Sequence, residues 1–206
     1  MGKNGGVDVA LESLESFKSN PKIVLSGLKL LRALAVSKDN TSKMQNGNAI
    51  SICVEAMYAN GDNVEIQKIG TQLLKSILDE KSVLDAIKRL KKYIVPMTKK
   101  GDEKAGNEVR KAVTQLAILA NAEAKLIHKN GGVPAVLDAL KSVLDSTSNP
   151  SQRAAVIDGC FRMLDAMVKN CDGIKGAVFD QILPKVDIVI DFVRYLLTYS
   201  IHLLTH

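Results

Sequence analysis

Apolar residues recur three and four positions apart along most of this chain, and no stretch shows the period of two that a half-buried strand requires. Val7, Leu11, Leu14 and Phe17 outline a first helix, closed by Ser19-Asn20-Pro21. Val24, Leu28, Leu31 and Leu34 outline a second, ended by Ser37-Lys38-Asp39-Asn40. A short segment through Met44 leads to Asn46-Gly47, and Ile50, Val54 and Met57 mark a helix that stops at Asn60-Gly61-Asp62. The cycle then resumes with helices predicted over 64–78, 83–99, 109–120, 133–144 and 154–168. A turn of helix is expected at Leu126-Ile127, a short helix over 174–178, and a final helix opened by Leu183-Pro184. Gly, Pro and Asn fall where each helix should end.

A phrase repeats within this pattern. Asn4-Gly5-Gly6-Val7, Asn46-Gly47-Asn48-Ala49 and Asn130-Gly131-Gly132-Val133 each open an apolar stretch, with the Asn residues 42 and then 84 apart. Aligning the long helices on Leu31, Leu74, Leu116 and Leu164 gives steps of 43, 42 and 48, the last lengthened by Ser146-Thr147-Ser148-Asn149-Pro150. A period near 42 is that of a helical repeat array. Gly27, Gly70, Ala112 and Gly159 recur near the start of each long helix. Glycine costs about 0.5–1 kcal/mol against alanine inside a helix, so its recurrence there predicts close approach of a neighbouring helix.

A short helix, an Asn-Gly-Gly turn, a medium helix, a polar break with Asn or Asn-Pro and then a long helix resemble the armadillo repeat and the related HEAT-type repeats. The closest single stretch is residues 126–140, followed by Asn149-Pro150-Ser151-Gln152, while 81–100 departs from the pattern in lacking the Gly-Gly turn. The resemblance runs from Asn4 to about Leu197. It implies an all-α, right-handed solenoid of about four repeats in one domain over 1–206, with approximate units 1–37, 38–80, 81–121, 122–171 and 172–206. It further implies a concave groove lined by the long helices. In importin-like members a Trp and an Asn on each long helix form a peptide-binding ladder. The Trp position here holds Lys29, Gln72, Thr114 and Arg162, and the Asn position Ala33, Ser76, Ile118 and Ala166, so the import-receptor ladder is absent. The long polar side chains near the helix centres, Lys29, Arg32, Gln72, Lys75, Gln115 and Arg162, become the expected partner-binding groove.

Two further features stand out from the scaffold. The chain has 28 Lys and Arg against 22 Asp and Glu, and residues 86–111 hold that whole excess. On a helix over 83–99, Lys88, Lys91, Lys92 and Lys99 share one side, opposite Ile87, Leu90, Ile94 and Met97. Such a stripe suits an acidic partner. RNA or another polyanion is the alternative reading, weakened because Tyr93 is the sole aromatic nearby to stack on a base. In the C-terminal stretch, polar residues Asp187, Asp191, Arg194, Thr198 and His202 form a narrow line on an otherwise apolar helix. Its charges argue against a membrane span. Phe192, Tyr195, Leu196, Tyr199 and Leu203 are expected to pack on another chain or on a second copy, since an array normally ends in a polar cap. The chain begins almost on a mid-repeat helix and ends on an uncapped one, as a segment of a longer array or a subunit completed by an assembly would.

No catalytic or cofactor chemistry is legible. His128, His202 and His206 are scattered, Cys53, Cys160 and Cys171 show neither a pairing framework nor metal-ligand spacing, and no nucleophile elbow or phosphate loop is present. The cysteine usage fits a reducing, cytoplasmic compartment. Neither a signal peptide nor a complete myristoylation pattern is present, Gly6 standing where Ser or Thr would be needed. The expectation is therefore a non-enzymatic protein-interaction scaffold. A place in a cytoskeletal or ciliary assembly lies within the breadth of the family it resembles.

Overall fold

A computed structural model describes residues 5–145, 149–170, 176–177 and 180. Among these residues there are nine helices and no strand, so the chain is all-α as the periodicity predicts. The expected helix over 183–206 and its apolar residues Phe192, Tyr195, Leu196, Tyr199 and Leu203 lie outside the described residues. The chain divides into two compact units. One comprises Met1–Ser82 with Asn121–Glu123, the other Val83–Ala120 with Ala124–His206.

The first unit holds α1 (Gly6–Ser16), α2 (Pro21–Leu34), α3 (Lys38–Asn46), α4 (Ala49–Ala59) and α5 (Val64–Ile77). Its elements recur at a spacing of 43. Asn20 caps α2 by accepting from the backbone of Lys22 and Ile23, with Pro21 at the tolerated first position; Asn63 caps α5 by accepting from Ile66. Residues in the left-handed region precede α1 and α4 at Gly5 (φ 81°) and Asn48 (φ 58°), again 43 apart, and Gly131 (φ 75°) precedes the corresponding helix of the other unit. The repeated Asn-Gly phrase is therefore a helix-entry turn. Its second copy carries one extra residue between the Asn and the left-handed position, which is why the Asn residues count 42 and the turns 43.

In this unit α1 packs on α2 and α4, and α5 packs on α2 and α4, so equivalent helices stack as two layers of two; α3 lies against α4 and α5. The recurrent glycines allow the close approach expected of them. A Cβ on Gly27 would meet Leu14 Cδ2 at 2.9 Å, and one on Gly70 would meet Met57 Sδ at 2.4 Å. Leu14 and Met57 are themselves 43 apart and fully buried. Side-chain amides close the seams. Asn60, 9% exposed, donates to the carbonyls of Lys18 and Ala56, both at 2.7 Å, and Gln67 donates to those of Met57 and Asn60. Asn60→Ala strands the Lys18 carbonyl and is expected to cost about 1–3 kcal/mol, read as a lowered urea midpoint at unchanged slope.

The second unit holds α6 (Glu80–Lys100, joined from Val83), α7 (Glu103–Lys129, apart from Asn121–Glu123), α8 (Gly132–Leu144) and α9 (Pro150–Asn170). Here the elements differ from the periodicity. The breaks at Gly101 and at Gly131 fall where expected, but α7 begins at Glu103, six residues before the apolar pattern does. Asp102 accepts from the Ala105 backbone at 3.0 Å, which starts the helix as soon as the turn is complete. The same helix runs on through Leu126-Ile127 with a kink at Glu123 (φ −152°, ψ 78°), so a predicted separate turn of helix is a bent continuation. α8 packs on α9, and α9 lies alongside α7 in the same direction, Gln152 against Gly106 and Gly159 against Val113.

Candidate functional site

The first unit places four of the six expected groove residues on its two stacked long helices. Lys29 and Arg32 on α2, and Gln72 and Lys75 on α5, are all exposed. They are joined across the helix pair: Lys29 Nζ lies 2.7 Å from Glu65 Oε1, and Arg32 donates through Nη1 to Gln72 Oε1. These contacts set α2 and α5 side by side and parallel, with outward ridges through Lys22, Lys29 and Arg32 and through Glu65, Lys68, Gln72 and Lys75. The combined surface carries five bases and one acid. Glu65 is engaged by Lys29, while Lys22, Lys68 and Lys75 have no acidic partner among the described residues.

The other helix layer of this unit, α1 and α4, carries Asp8, Glu12, Glu15 and Glu55, all exposed, and neither Lys nor Arg; Asp8 pairs with Lys43 at 2.6 Å and Glu55 with Lys18 at 3.0 Å, both from flanking segments. Glu65, Lys22 and Lys68 also belong to the α2 and α5 surface, away from the helix centres. Lys22 and Lys68 are signalled by the seven-residue spacing from Lys22 to Lys29 and from Lys68 to Lys75, one step on each long helix.

The remaining two groove residues lie in the second unit. Arg162 on α9 is exposed and pairs within its own helix with Asp158 at 2.8 Å. Gln115 does not line an open surface: it is 7% exposed. It directly precedes the core residue Leu116, and Arg89 of α6 reaches over it, with Nη1 3.5 Å from Gln115 Oε1 and Nε 3.8 Å from Glu108 Oε2. Polarity alone does not distinguish such a covered amide from a surface one.

On α6, Lys88, Lys91, Lys92 and Lys99 are exposed, while Val83, Ala86, Ile87, Leu90, Ile94 and Met97 are buried. Arg89 alone of the central bases turns inward. Lys92 Nζ stands 5.0 Å from the centroid of the Tyr93 ring, and no acid partners Lys88, Lys91 or Lys99 among the described residues.

Among the described residues no cluster of His, Cys, Asp or Glu could hold a metal ion, and no helix is long and apolar enough to cross a membrane. Cys53 and Cys160 are buried, and burial pushes each thiol up to about 12, so neither offers a thiolate near neutral pH. No protein-family model, curated protein or solved structure matches the chain.

Proposed function

We propose that this chain is a non-enzymatic protein-interaction scaffold of armadillo-like helical repeats, holding a partner segment along the exposed side of α2 and α5. The observation that carries the reading is the joined ridge pair of α2 and α5, on which Lys29, Arg32, Gln72 and Lys75 stand exposed over a fully apolar layer of Leu28, Leu31, Leu73 and Leu74. Three things support the repeat assignment: the 43-residue recurrence of caps, entry turns and close-packed glycines, the stacking of like helix on like helix in the first unit, and the parallel run of α7 and α9 in the second. Repeats of this kind present extended surfaces and bind through them. The basic ridges attract an acidic partner through long-range steering and a rim of exposed charge.

The test is local cross-linking. A photoreactive amino acid at Gln72 is expected to capture a partner protein from the native source, and the same group at Glu12 on the other layer to capture none of it. Equal capture at both positions, or capture at neither, contradicts the reading.

A further inference from the structure

The second unit offers a separate surface on α6. Lys88, Lys91, Lys92 and Lys99 share one side of α6 over about three turns, a stripe of about 16 Å at 1.5 Å per residue, with Val95 on the turn between Lys92 and Lys99 and Pro96 beside it inside the helix. Val95 stands in the middle of that stripe and is 49% exposed. Every acid of α6, Glu80 and Asp85, lies before Lys88, so the stripe contains none. Arg89, the one side chain there able to grip a carboxylate or phosphate with a planar fork, is directed away from the stripe toward Glu108 and Gln115, its side chain 36% exposed. What remains outside is a row of flexible ammonium groups that read charge rather than geometry, around a single aliphatic contact.

We propose that this stripe docks an acidic amphipathic helix of a partner protein, with carboxylates spaced three and four residues apart and one aliphatic side chain set against Val95. Three observations select that occupant over other anionic surfaces. The apolar face of α6 is buried, so it has no face to bury among lipid chains, which amphipathic membrane binders require. The one aromatic on the stripe's flank, Tyr93, is half-buried with Lys92 Nζ 5.0 Å from its ring centroid, a poor platform for stacked nucleic acid bases. Lys88, Lys91, Lys92 and Lys99 fall at helical spacing around Val95, which is the complement of an acidic helix with one central apolar residue.

The full chain is titrated against a fluorescein-labelled helical peptide carrying Glu at i, i+3, i+4 and i+11 about a central Leu. The Leu→Ser peptide, a 20-nucleotide RNA and phosphatidylserine vesicles serve as the other arms. Binding of the Leu peptide is expected to weaken about tenfold or more in K88E/K91E/K92E. The milder K88Q/K91Q/K92Q, which keeps the side-chain stems, should weaken it by a smaller factor. Val95→Ser and the Leu→Ser peptide should each lower affinity by a similar factor, and not additively when combined, because each removes the same contact. R32E/K75E on α2 and α5 should leave this binding unchanged, so the proposal stands or falls separately from the scaffold reading. Peptide binding that ignores the lysine variants overturns it. So does tighter lysine-dependent binding of the RNA or the vesicles than of the peptide, or indifference to Val95.

Discussion

Gly159→Leu is expected to destabilise the chain by about 3 kcal/mol or more, the largest effect of any substitution in a graded series at the glycines of the long helices. A Cβ there would lie 2.4 Å from Val113 Cγ2 and 3.1 Å from its Cβ. Val113 is fully buried in the middle of α7, and its β-branched side chain has one strongly preferred rotamer in a helix, so it cannot swing away. Even Gly159→Ala should destabilise, because the clash outweighs the helix-propensity gain of about 1 kcal/mol. Gly70 differs in kind. Its Cβ would meet Met57 at Sδ and, at 2.7 Å, at Cγ, but methionine has three soft torsions and can repack. Gly70→Ala should therefore cost about 1 kcal/mol. Gly27→Ala, whose Cβ would meet Leu14 at Cδ2 (2.9 Å) and Cγ (3.0 Å), the mildest crowding of the three, should cost least as propensity offsets part of it. Urea melts of the three alanine variants decide the order. The companion Val113→Ala in a Gly159→Ala background should recover part of the loss, whereas rescue by neither Val113 nor any repacking would show that the close helix approach is not what glycine serves.

Much of this architecture is legible in the residues. The helical period, the breaks at Ser19-Asn20-Pro21 and Asn60-Gly61-Asp62 and the close-packing role of Gly27, Gly70 and Gly159 follow from spacing and from the cost of glycine in a helix. The bounds of α7 do not follow. Glu103 to Glu108 has no apolar period to announce a helix and contains Gly106 and Asn107, both poor helix formers, and the bend at Glu123 has no glycine or proline to mark it. The site divides in the same way. Lys29, Arg32, Gln72 and Lys75 are readable together because positions 43 residues apart on α2 and α5 stand side by side. Gln115 is not, because its environment is set by Arg89, twenty-six residues away on another helix. The inward turn of Arg89 and the outward turn of its lysine neighbours is likewise a consequence of where Glu108 sits. A sequence reads which residues can face outward; it does not read which ones a long side chain from elsewhere will cover.

Reversing K29E/R32E/K75E is expected to abolish partner capture on the α2 and α5 surface while leaving the fold intact. The substitutions turn a surface of five bases and one acid into one of two bases, Lys22 and Lys68, and four acids. Stability should change little. Lys29 and Glu65 are each about half exposed, and pairs of that kind contribute about 0–1 kcal/mol. The Arg32–Gln72 bond is likewise at the surface, and the apolar layer beneath it is untouched. Binding should change much more, because all three charges act on the same incoming acidic surface and repulsion replaces steering. The association rate measured across a salt series should therefore fall at least about tenfold at low ionic strength and converge with the parent chain as salt rises. Two further variants separate charge from geometry. The swap K29E/E65K keeps the pair and the net charge, so it should bind nearly as the parent does if the field of the surface is what the partner senses. Arg32→Lys keeps the charge but removes the planar fork that reaches Gln72, so a loss confined to this variant would assign recognition to the Arg32–Gln72 bridge. Unchanged capture by the triple reversal, with the chain folded, would remove the α2 and α5 surface from the function of this protein.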